Sequence, residues 1–268
     1  MKKLILLAIL ILTCSPAFAA DHCCRVRTFN GREIRERQRL VENRPVGARI
    51  AFWAENFVGF PYDTDPLGRY VRKKRIVTDH KMDCMYLVFR SVELALSKTP
   101  EGAVKEALYL RFKTRGKLDK DGNVVNYDDR FQYAEDMIAS GKWGKDITSE
   151  IAPTKEIPGS RGYKTVKYIP KAELMKEKYY SRLESGDIIY FIKDPKKRVV
   201  GEIVGHLGII SRETSLNGTT VYVINASGTK ASAAVRVRST GGGGYVKKVP
   251  LTDYLSKTGF IGAKFTRF

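Results

Sequence analysis

Three residues of this sequence carry side chains that could together cleave an amide or ester bond: Cys84, His206 and Asn225. A cysteine sulfur is a strong nucleophile once its proton is removed, and histidine is the usual base for that step. A neutral amide can hold the imidazole in the tautomer that accepts the proton. The three residues therefore predict acyl transfer, with Cys84 as nucleophile, His206 as base and Asn225 as the group that orients the imidazole.

The residues around Cys84 place it in the first turn of a helix. Asp83 is a suitable N-cap. Apolar or small side chains then recur at helical spacing, at Leu87, Val88, Ser91, Val92 and Ala95. Arg90 and Glu93 fall on the opposite face, which we expect to be exposed. Backbone N–H groups at a helix start favour the thiolate; the alternative is that Cys84 is a small buried apolar residue.

His206 and Asn225 lie in two successive runs that are typical of strands, residues 203–210 and 219–226. A histidine in an apolar strand is more often a core residue than a catalyst. Gly205 and Gly208, however, leave room beside His206 for a ligand or for another backbone.

The connection between these two strands decides whether His206 and Asn225 meet. If a loop joins them so that Ser211 pairs with Thr220, His206 lies opposite Asn225. A tight two-residue turn at Asn217-Gly218 would shift the register and separate them. The residues alone leave both registers open.

The order of the predicted elements indicates an α+β fold, because helices come first and antiparallel strands follow. Helical patterns cover residues 32–42, 45–59, 103–111 and 131–140. Strand patterns cover residues 188–192, 203–210, 219–226, 234–238 and 260–267. Residues 101–180 form a predicted insertion, and Gly241–Gly244 is predicted to be a flexible loop rather than a phosphate-binding loop.

The first 19 residues have the pattern of a secretory signal peptide, with Lys2 and Lys3 followed by an apolar run and an Ala-x-Ala site ending at Ala19. The apolar run is too short to span a bilayer, and Thr13 before Cys14 fits a lipid-anchor site poorly. We therefore expect a periplasmic or secreted protein without a stable membrane anchor. His22, Cys23 and Cys24 could bind a soft metal but more simply belong to an irregular N-terminal segment.

The chain is strongly basic, with a net charge of +19. A basic protein is attracted to polyanions. For an exported protein, peptidoglycan fragments, anionic lipids or surface polymers are better candidates than nucleic acid, and no nucleic-acid-binding motif is present. A solvated basic surface with no specific partner is the alternative.

Several sequence patterns, taken in order, resemble the NlpC-type cysteine peptidase and amidase superfamily. They are Asp-Cys at 83–84, Leu-Glu-Ser-Gly-Asp-Ile-Ile at 183–189 and Gly-His-Leu-Gly-Ile at 205–209. The patterns at 57–62, 127–133, 225–227 and 249–255 are similar to those of the N-acetylmuramoyl-L-alanine amidase-like branch. Asn225 stands where that branch usually has a histidine, and Gln132 replaces another.

This resemblance implies a papain-like fold, in which a helix that begins at the nucleophile packs on an antiparallel sheet that carries the histidine. It covers residues 48–268, which gives an amidase domain with a helical insertion at about 101–180, preceded by the signal peptide at 1–19 and an N-terminal extension at 20–47. It also implies hydrolysis of the amide between N-acetylmuramic acid and L-Ala, on soluble and particularly anhydro muropeptides, with no metal or cofactor.

The resemblance further implies five substrate contacts, at Asp83, Tyr62, Arg130, Tyr133 and Ser227. For each, a structural role is the alternative: a helix cap, core packing, a surface ion pair or a strand end. Two other functions also fit the sequence. One is cleavage between D-Glu and the diamino acid of the stem peptide, and the other is envelope binding with weak or lost catalysis.

Overall fold

A computed structural model describes residues 28–216, 218–228 and 244–268. Eight strands form its single sheet. In chain order they are β1 (Lys145–Asp146), β2 (Lys155–Pro158), β3 (Thr165–Pro170), β4 (Ile188–Ile192), β5 (Val204–Ser215), β6 (Gly218–Ser227), β7 (Tyr245–Pro250) and β8 (Gly262–Arg267). Seven of them pair in the order β2-β3-β8-β4-β5-β6-β7, β1 pairs with β8, and every pair is antiparallel. The predicted α+β class with an antiparallel sheet is confirmed.

Helices lie on both faces of this sheet. They are α1 (Gly31–Val41), α2 (Val46–Asn56), α3 (Arg69–Arg72), α4 (Cys84–Leu96), α5 (Pro100–Leu110), α6 (Ala134–Ala139), α7 (Thr148–Ile151), α8 (Lys171–Leu174) and α9 (Leu251–Lys257). Short 3-10 helices cover Tyr127–Asp129, Glu177–Arg182 and Pro195–Lys197. None of the helices within the described ranges is long and apolar enough to cross a bilayer.

Two apolar cores lie between the sheet and the helices, one on each face of the sheet. The larger core joins α2, α4 and α5 to one sheet face, where Tyr190, Ile209 and Ile224 contribute. The smaller core lies on the other face, where Phe191, Ile210 and side chains of α9 meet. Side chains alternate between faces along each strand, so neighbouring residues of β5 belong to different cores.

The helix that begins at Cys84 is buried on all sides. Asp83 caps it by accepting a hydrogen bond from the Tyr86 N–H at 2.7 Å, and residues Tyr86–Ala95 are all buried. The expectation that Arg90 and Glu93 are exposed is wrong, since their relative exposures are 2% and 0%. A helix with no wet face needs partners for its charges.

Those partners form a closed network of buried charges. Arg90 donates to both carboxylate oxygens of Asp79, at 2.8 and 2.9 Å. Arg111, at the end of α5, donates to Glu93 at 2.7 Å and to the Ile76 carbonyl at 2.8 Å. Two cations and two carboxylates are thereby neutralised, and the chain segment before Cys84 is bound to two helices.

The β5–β6 hairpin has a register that lies between the two predicted ones. Its pairing runs from Ser215–Gly218 to Ile209–Ile224, so the turn is a two-residue turn one position earlier than Asn217-Gly218. His206 is therefore not directly opposite Asn225, as it would be in the first of the two registers. The two residues still share one sheet face, because the difference is an even number of positions.

A β-bulge interrupts the β4–β5 pairing immediately before His206. Phe191 pairs with His206, whereas the next residue of β4, Ile192, pairs with Val204, which leaves Gly205 as the extra residue. A side chain at Gly205 would collide with Lys193 and Phe260, because its Cβ would lie 2.5 and 2.8 Å from their atoms. Glycine is therefore required for the close approach here.

The sequence predicts a helical insertion at 101–180, but this region also contributes the three strands β1, β2 and β3. β1 and β3 both pair with β8, so this region extends the central sheet. Its α6 also reaches β5: the buried Glu135 carboxylate accepts hydrogen bonds from the N–H groups of Ile203 and Val204, at 3.1 and 3.3 Å. The short strands β1 to β3 lack the long apolar alternation on which strand prediction depends.

The predicted helix at 32–42 is present one residue earlier, at Gly31–Val41. It begins with a capping box, in which Asn30 and Glu33 exchange hydrogen bonds of 2.8 and 2.9 Å. Phe29 just before it is buried against the rings of Trp53, Phe57 and Phe60, so the predicted irregular segment 20–31 ends in the core. The signal peptide, His22, Cys23, Cys24 and the predicted strand 234–238 lie outside the described residues.

Candidate active site

Cys84 is the first residue of α4, and within the described residues its thiol forms no disulfide. Burial, followed by the nearby charge of Asp83, raises the pKa of this thiol to about 12. The N–H groups of Leu207, Met85 and Cys84 itself act in the opposite direction. The N–H groups at the helix start thus act in the expected direction, but desolvation of the anion outweighs them, so the net shift favours the thiol.

His206 is enclosed by aromatic rings on the other sheet face. Its imidazole stacks with Tyr254 of α9 at a centroid distance of 6.1 Å and with Phe260 at 6.3 Å. Phe191, directly across on β4, stacks at 6.2 Å. This burial lowers the pKa of His206 to about 4, although the hydrogen bond to Asn225 raises it. The imidazole is consequently neutral at pH 7.

Asn225 holds the imidazole in one tautomer. The Nε2 of His206 lies 3.2 Å from the Oδ1 of the fully buried Asn225. An amide oxygen only accepts hydrogen bonds, so Nε2 carries the proton and Nδ1 keeps its lone pair. The predicted contact between these residues thus exists despite the different register, with Nδ1 as the basic atom.

The imidazole lies on the sheet face opposite the core of α4, but the sulfur and the imidazole share two neighbours, the short stretch of β5 at Leu207 and Tyr254 of α9. Leu207, whose N–H lowers the pKa of Cys84, directly follows His206. Tyr254 is a neighbour of both groups: its ring stacks on His206, and burial and then the Cys84 charge raise the pKa of its phenol. Within the described residues, the hydrogen bond of the imidazole goes to Asn225, and no hydrogen bond joins it to the sulfur. A substrate carbonyl would have to approach the sulfur beside this stretch.

Three of the predicted substrate contacts lie around this stretch. Asp83 precedes the sulfur, and burial raises the pKa of its carboxyl to about 6. Tyr62 is half-buried, and burial, followed by the charges of Cys84 and Asp83, raises the pKa of its phenol to about 12. Ser227 ends β6 two residues beyond Asn225 and on the same face, opposite Tyr245.

The other two predicted contacts belong to the inserted region and have protein partners. The Nη1 of Arg130 donates to the Tyr127 carbonyl at 2.9 Å. Tyr133 stacks under the guanidinium of Arg161, which is 3.3 Å from the ring centroid. Neither contact involves Cys84 or His206, so a substrate role for Arg130 and Tyr133 stays a prediction.

Sequence reasoning missed one residue of this face, Lys247 of β7. It pairs directly with Asn225, and its charge is the third influence on the His206 pKa, which it lowers. A single sequence offers no signal for it, because the Tyr-Val-Lys-Lys pattern at 245–248 does not indicate which lysine faces the imidazole.

A cleft of about 470 Å³ borders the segment that leads to Cys84. Its lining contains four cationic and two acidic side chains, from Asp63, Asp65, Arg69, Arg72, Lys73 and Lys81. Arg72 forms a salt bridge with Asp65, whereas the cations in excess leave the cleft electropositive. Such a cleft suits an anionic substrate.

The fold is shared with several solved structures. No family model and no curated protein sequence matches the chain. An N-acetylmuramoyl-L-alanine amidase from Bacteroides uniformis superposes with a TM-score of 0.58 at 19% identity, over 83% of this chain and 98% of that one. A Legionella pneumophila protein described by the family name DUF1460 gives 0.61 at 18% identity, over 88% and 93%. A putative xylanase from Bacteroides fragilis gives 0.55 at 18%, over 81% and 100%.

Proposed function

We propose that the protein is a cysteine-dependent amidase that cleaves the amide between the lactyl group of N-acetylmuramic acid and L-Ala in muropeptides. Two solved structures that share its fold over more than four fifths of the chain bear the name of this activity. The observation that carries the proposal is the His206–Asn225 contact, on a strand whose next N–H lies at the Cys84 sulfur. The proposal assigns Cys84 as the nucleophile, His206 as the base and Asn225 as the group that orients the base.

In the first half of the reaction, the sulfur attacks the lactyl carbonyl carbon while the Nδ1 of His206 takes the thiol proton. Both groups begin neutral, so the proton moves as the carbon–sulfur bond forms. The carbonyl oxygen becomes an oxyanion near the N–H groups at the start of α4, which stabilise negative charge. The imidazolium then protonates the nitrogen of L-Ala, and the carbon–nitrogen bond breaks to leave a thioester.

In the second half, water replaces the departed peptide. The neutral Nδ1 takes a proton from this water, whose oxygen attacks the thioester carbon. The carbon–sulfur bond breaks, and the imidazolium returns the proton to the sulfur. The products are the sugar with a free lactyl carboxylate and a free stem peptide, and the enzyme is unchanged.

The test is incubation of the purified protein with anhydro and reduced disaccharide tetrapeptides, followed by mass spectrometry. An intact free tetrapeptide supports the amidase, and its formation should stop in Cys84→Ala. A released dipeptide of diamino acid and D-Ala would instead identify the stem-peptide endopeptidase. With either the anhydro or the reduced substrate, Asn225→Ala should lower kcat by on the order of 10²-fold, because the imidazole loses the group that orients it.

One observation favours a second candidate, an envelope-binding protein with weak catalysis: the pKa of the nucleophile is raised rather than lowered. Binding of muropeptides that is equal in the parent and in Cys84→Ala, with no turnover in either, would support this candidate. Turnover abolished by Cys84→Ala would exclude it.

We also propose that the protein is exported, as its first 19 residues suggest. Peptidoglycan fragments lie outside the cytoplasm, so the location and the substrate agree. N-terminal sequencing of the protein from the periplasm should begin at Ala20; a protein that retains Met1 would contradict the proposal.

A further inference from the structure

Lys247 and Lys248 are adjacent on β7 but have opposite environments. Lys248 faces the side of the sheet that packs on α2 and α4. Its ammonium there contacts the carboxylates of Glu55 and Glu213, at 2.7 and 2.5 Å. Lys247 faces the opposite side and is half-buried. Among the described residues, its ammonium has no hydrogen bond and no carboxylate partner. Desolvation without compensation lowers the pKa of Lys247.

The position of Lys247 is defined by the strand pairing. It lies directly opposite Asn225 across the β6–β7 ladder, and such pairs have Cβ atoms about 4.5–5.5 Å apart on the same face. Asn225 in turn contacts the imidazole of His206. Lys247 therefore lies on the same sheet face as His206, with Asn225 between them, and its charge is near enough to act on the imidazole.

The residues outside the described ranges also include almost no carboxylate that could pair with this ammonium. Residues 229–243, which join β6 to β7, contain Lys230, Arg236 and Arg238 and no acidic residue. Outside the described ranges, the sequence has a single carboxylate, that of Asp21. An unpaired, partly buried cation costs free energy, and an anionic ligand would remove that cost.

We propose that Lys247 is a specificity-determining residue that binds a carboxylate of the substrate beside His206. This inference rests on the proposed function, which supplies the anion: the stem peptide carries a free carboxylate on D-Glu, one residue beyond the amide that is cleaved. The ammonium and that carboxylate form a charge-assisted hydrogen bond, and the bond selects peptides that keep the carboxylate over those in which it is amidated.

The direct test compares two substrates that differ only in this group, N-acetylmuramyl-L-alanyl-D-glutamate and its D-isoglutamine counterpart. Lys247→Met should raise KM for the first by on the order of tenfold and leave KM for the second within twofold. Lys248→Met is the matched control and should leave the ratio of the two KM values unchanged. Equal effects of Lys247→Met on both substrates would overturn the proposal.

A second measurement does not depend on amidase activity. Iodoacetate and iodoacetamide alkylate the same Cys84 sulfur, but only iodoacetate carries a carboxylate. Lys247→Met should lower the ratio of the iodoacetate rate to the iodoacetamide rate at Cys84 severalfold, whereas Lys248→Met should not. An unchanged ratio would count against Lys247 even in an active enzyme, and a lowered ratio in a protein without turnover would reject the amidase while keeping the anion site.

Stability separates this role from a structural one. Replacing a half-buried, unpaired ammonium with the apolar Met side chain should leave Tm unchanged or raise it. A marked fall in Tm for Lys247→Met would mean that the lysine supports the fold, and the proposal would be withdrawn.

Discussion

At the scale of single residues, the thiol of Cys84 and the imidazole of His206 are both neutral at pH 7, because burial raises the pKa of the first to about 12 and lowers that of the second to about 4. A pre-formed thiolate–imidazolium pair is thus disfavoured in the unliganded protein. In the proposed mechanism, proton transfer would therefore accompany attack on the substrate, with His206 as the general base.

Alkylation of Cys84 by iodoacetamide tests this neutral state. The rate, followed by mass spectrometry of the Cys84 peptide, should keep rising with pH beyond pH 9, because thiolate is the reactive form. Asp83→Asn should accelerate it severalfold at pH 8, since the negative charge beside the sulfur is lost while the amide can still cap α4. A rate that levels off below pH 8 would contradict the raised pKa.

The carboxyl of Asp83 should also make stability depend on pH. Burial raises its pKa from 3.8 to about 6 in the folded protein, so the folded state binds this proton more tightly than the unfolded state. The free energy of unfolding of the parent therefore falls, relative to Asp83→Asn, as pH rises from 4 to 7, by about 2 kcal/mol. Urea unfolding of both proteins measures the difference; a difference independent of pH would contradict the shift.

The titration of His206 changes the free energy of unfolding with pH in the opposite direction. Its folded pKa is lowered to about 4, so its contribution to stability is lost as pH falls from 6.5 to 4. Because His206 is present in both proteins, its effect cancels from the comparison. His206 therefore serves as an internal constant.

The position of Cys84 at a helix start could be predicted from sequence, but the ionisation of its thiol could not. Asp83 as a cap and Cys84 as the first helical residue follow from local preferences that need only neighbouring residues. The pKa of the sulfur depends on how deeply the helix start is covered, and by which strand. Leu207 is more than a hundred positions away from Cys84 along the chain, so no local pattern indicates that contact.

At the scale of elements, the buried charge network determines how α4 is held. Removing one partner leaves an opposite charge without compensation in the core, which is strongly destabilising. The network joins α4 to α5 and to the segment that precedes Cys84. The direction of the helix start thus depends on charges rather than on apolar packing alone.

Replacement of Glu93 by Ala should lower the free energy of unfolding by about 3–5 kcal/mol, since the guanidinium of Arg111 would stay buried without its carboxylate. Glu36→Ala is the matched control, because Glu36 is also a helical glutamate paired with an arginine, Arg32, but both are exposed. Its effect should be about 0.5 kcal/mol or less. Urea unfolding of both variants checks the contrast, and similar losses would show that the network contributes little.

The sequence indicates this helix correctly and assigns its charged residues to the wrong environment. A charged residue on the face away from the apolar stripe is normally exposed, so Arg90 and Glu93 follow the rule for a surface helix. Here α4 is covered on all sides. Whether a helix has one packed face or several is decided by elements distant in the chain, such as α5 and the loop that contains Asp79.

At the scale of the whole molecule, the inserted region and the helices that precede it share one apolar core. Trp53 of α2 and Trp143 of the inserted region belong to the same apolar core, and β3 and β1 extend the sheet through β8. We therefore expect this region to unfold together with the rest of the domain. Short strands at a sheet edge gain their stability from the neighbours to which they bind.

The two tryptophans allow a test of this unity. In Trp53→Phe the remaining fluorescence reports on the inserted region, and in Trp143→Phe it reports on α2. Within each variant, the midpoint of urea unfolding by fluorescence should coincide with that by circular dichroism, as for a two-state transition. A fluorescence midpoint that differs from the dichroism midpoint in either variant would reveal two separate units.

The bulge at Gly205 has a consequence for how this protein could diversify. The carboxylate of Glu135 holds the backbone N–H groups of Ile203 and Val204 in place. The extra residue, Gly205, can accommodate a change of register between these residues and the pairing of His206 with Phe191. We therefore expect relatives to differ in length between β4 and β5, within 193–202, while the imidazole keeps its place. The hairpin tip could then acquire new substrate preferences by insertion or deletion, with the proton-transfer chemistry insulated from the change.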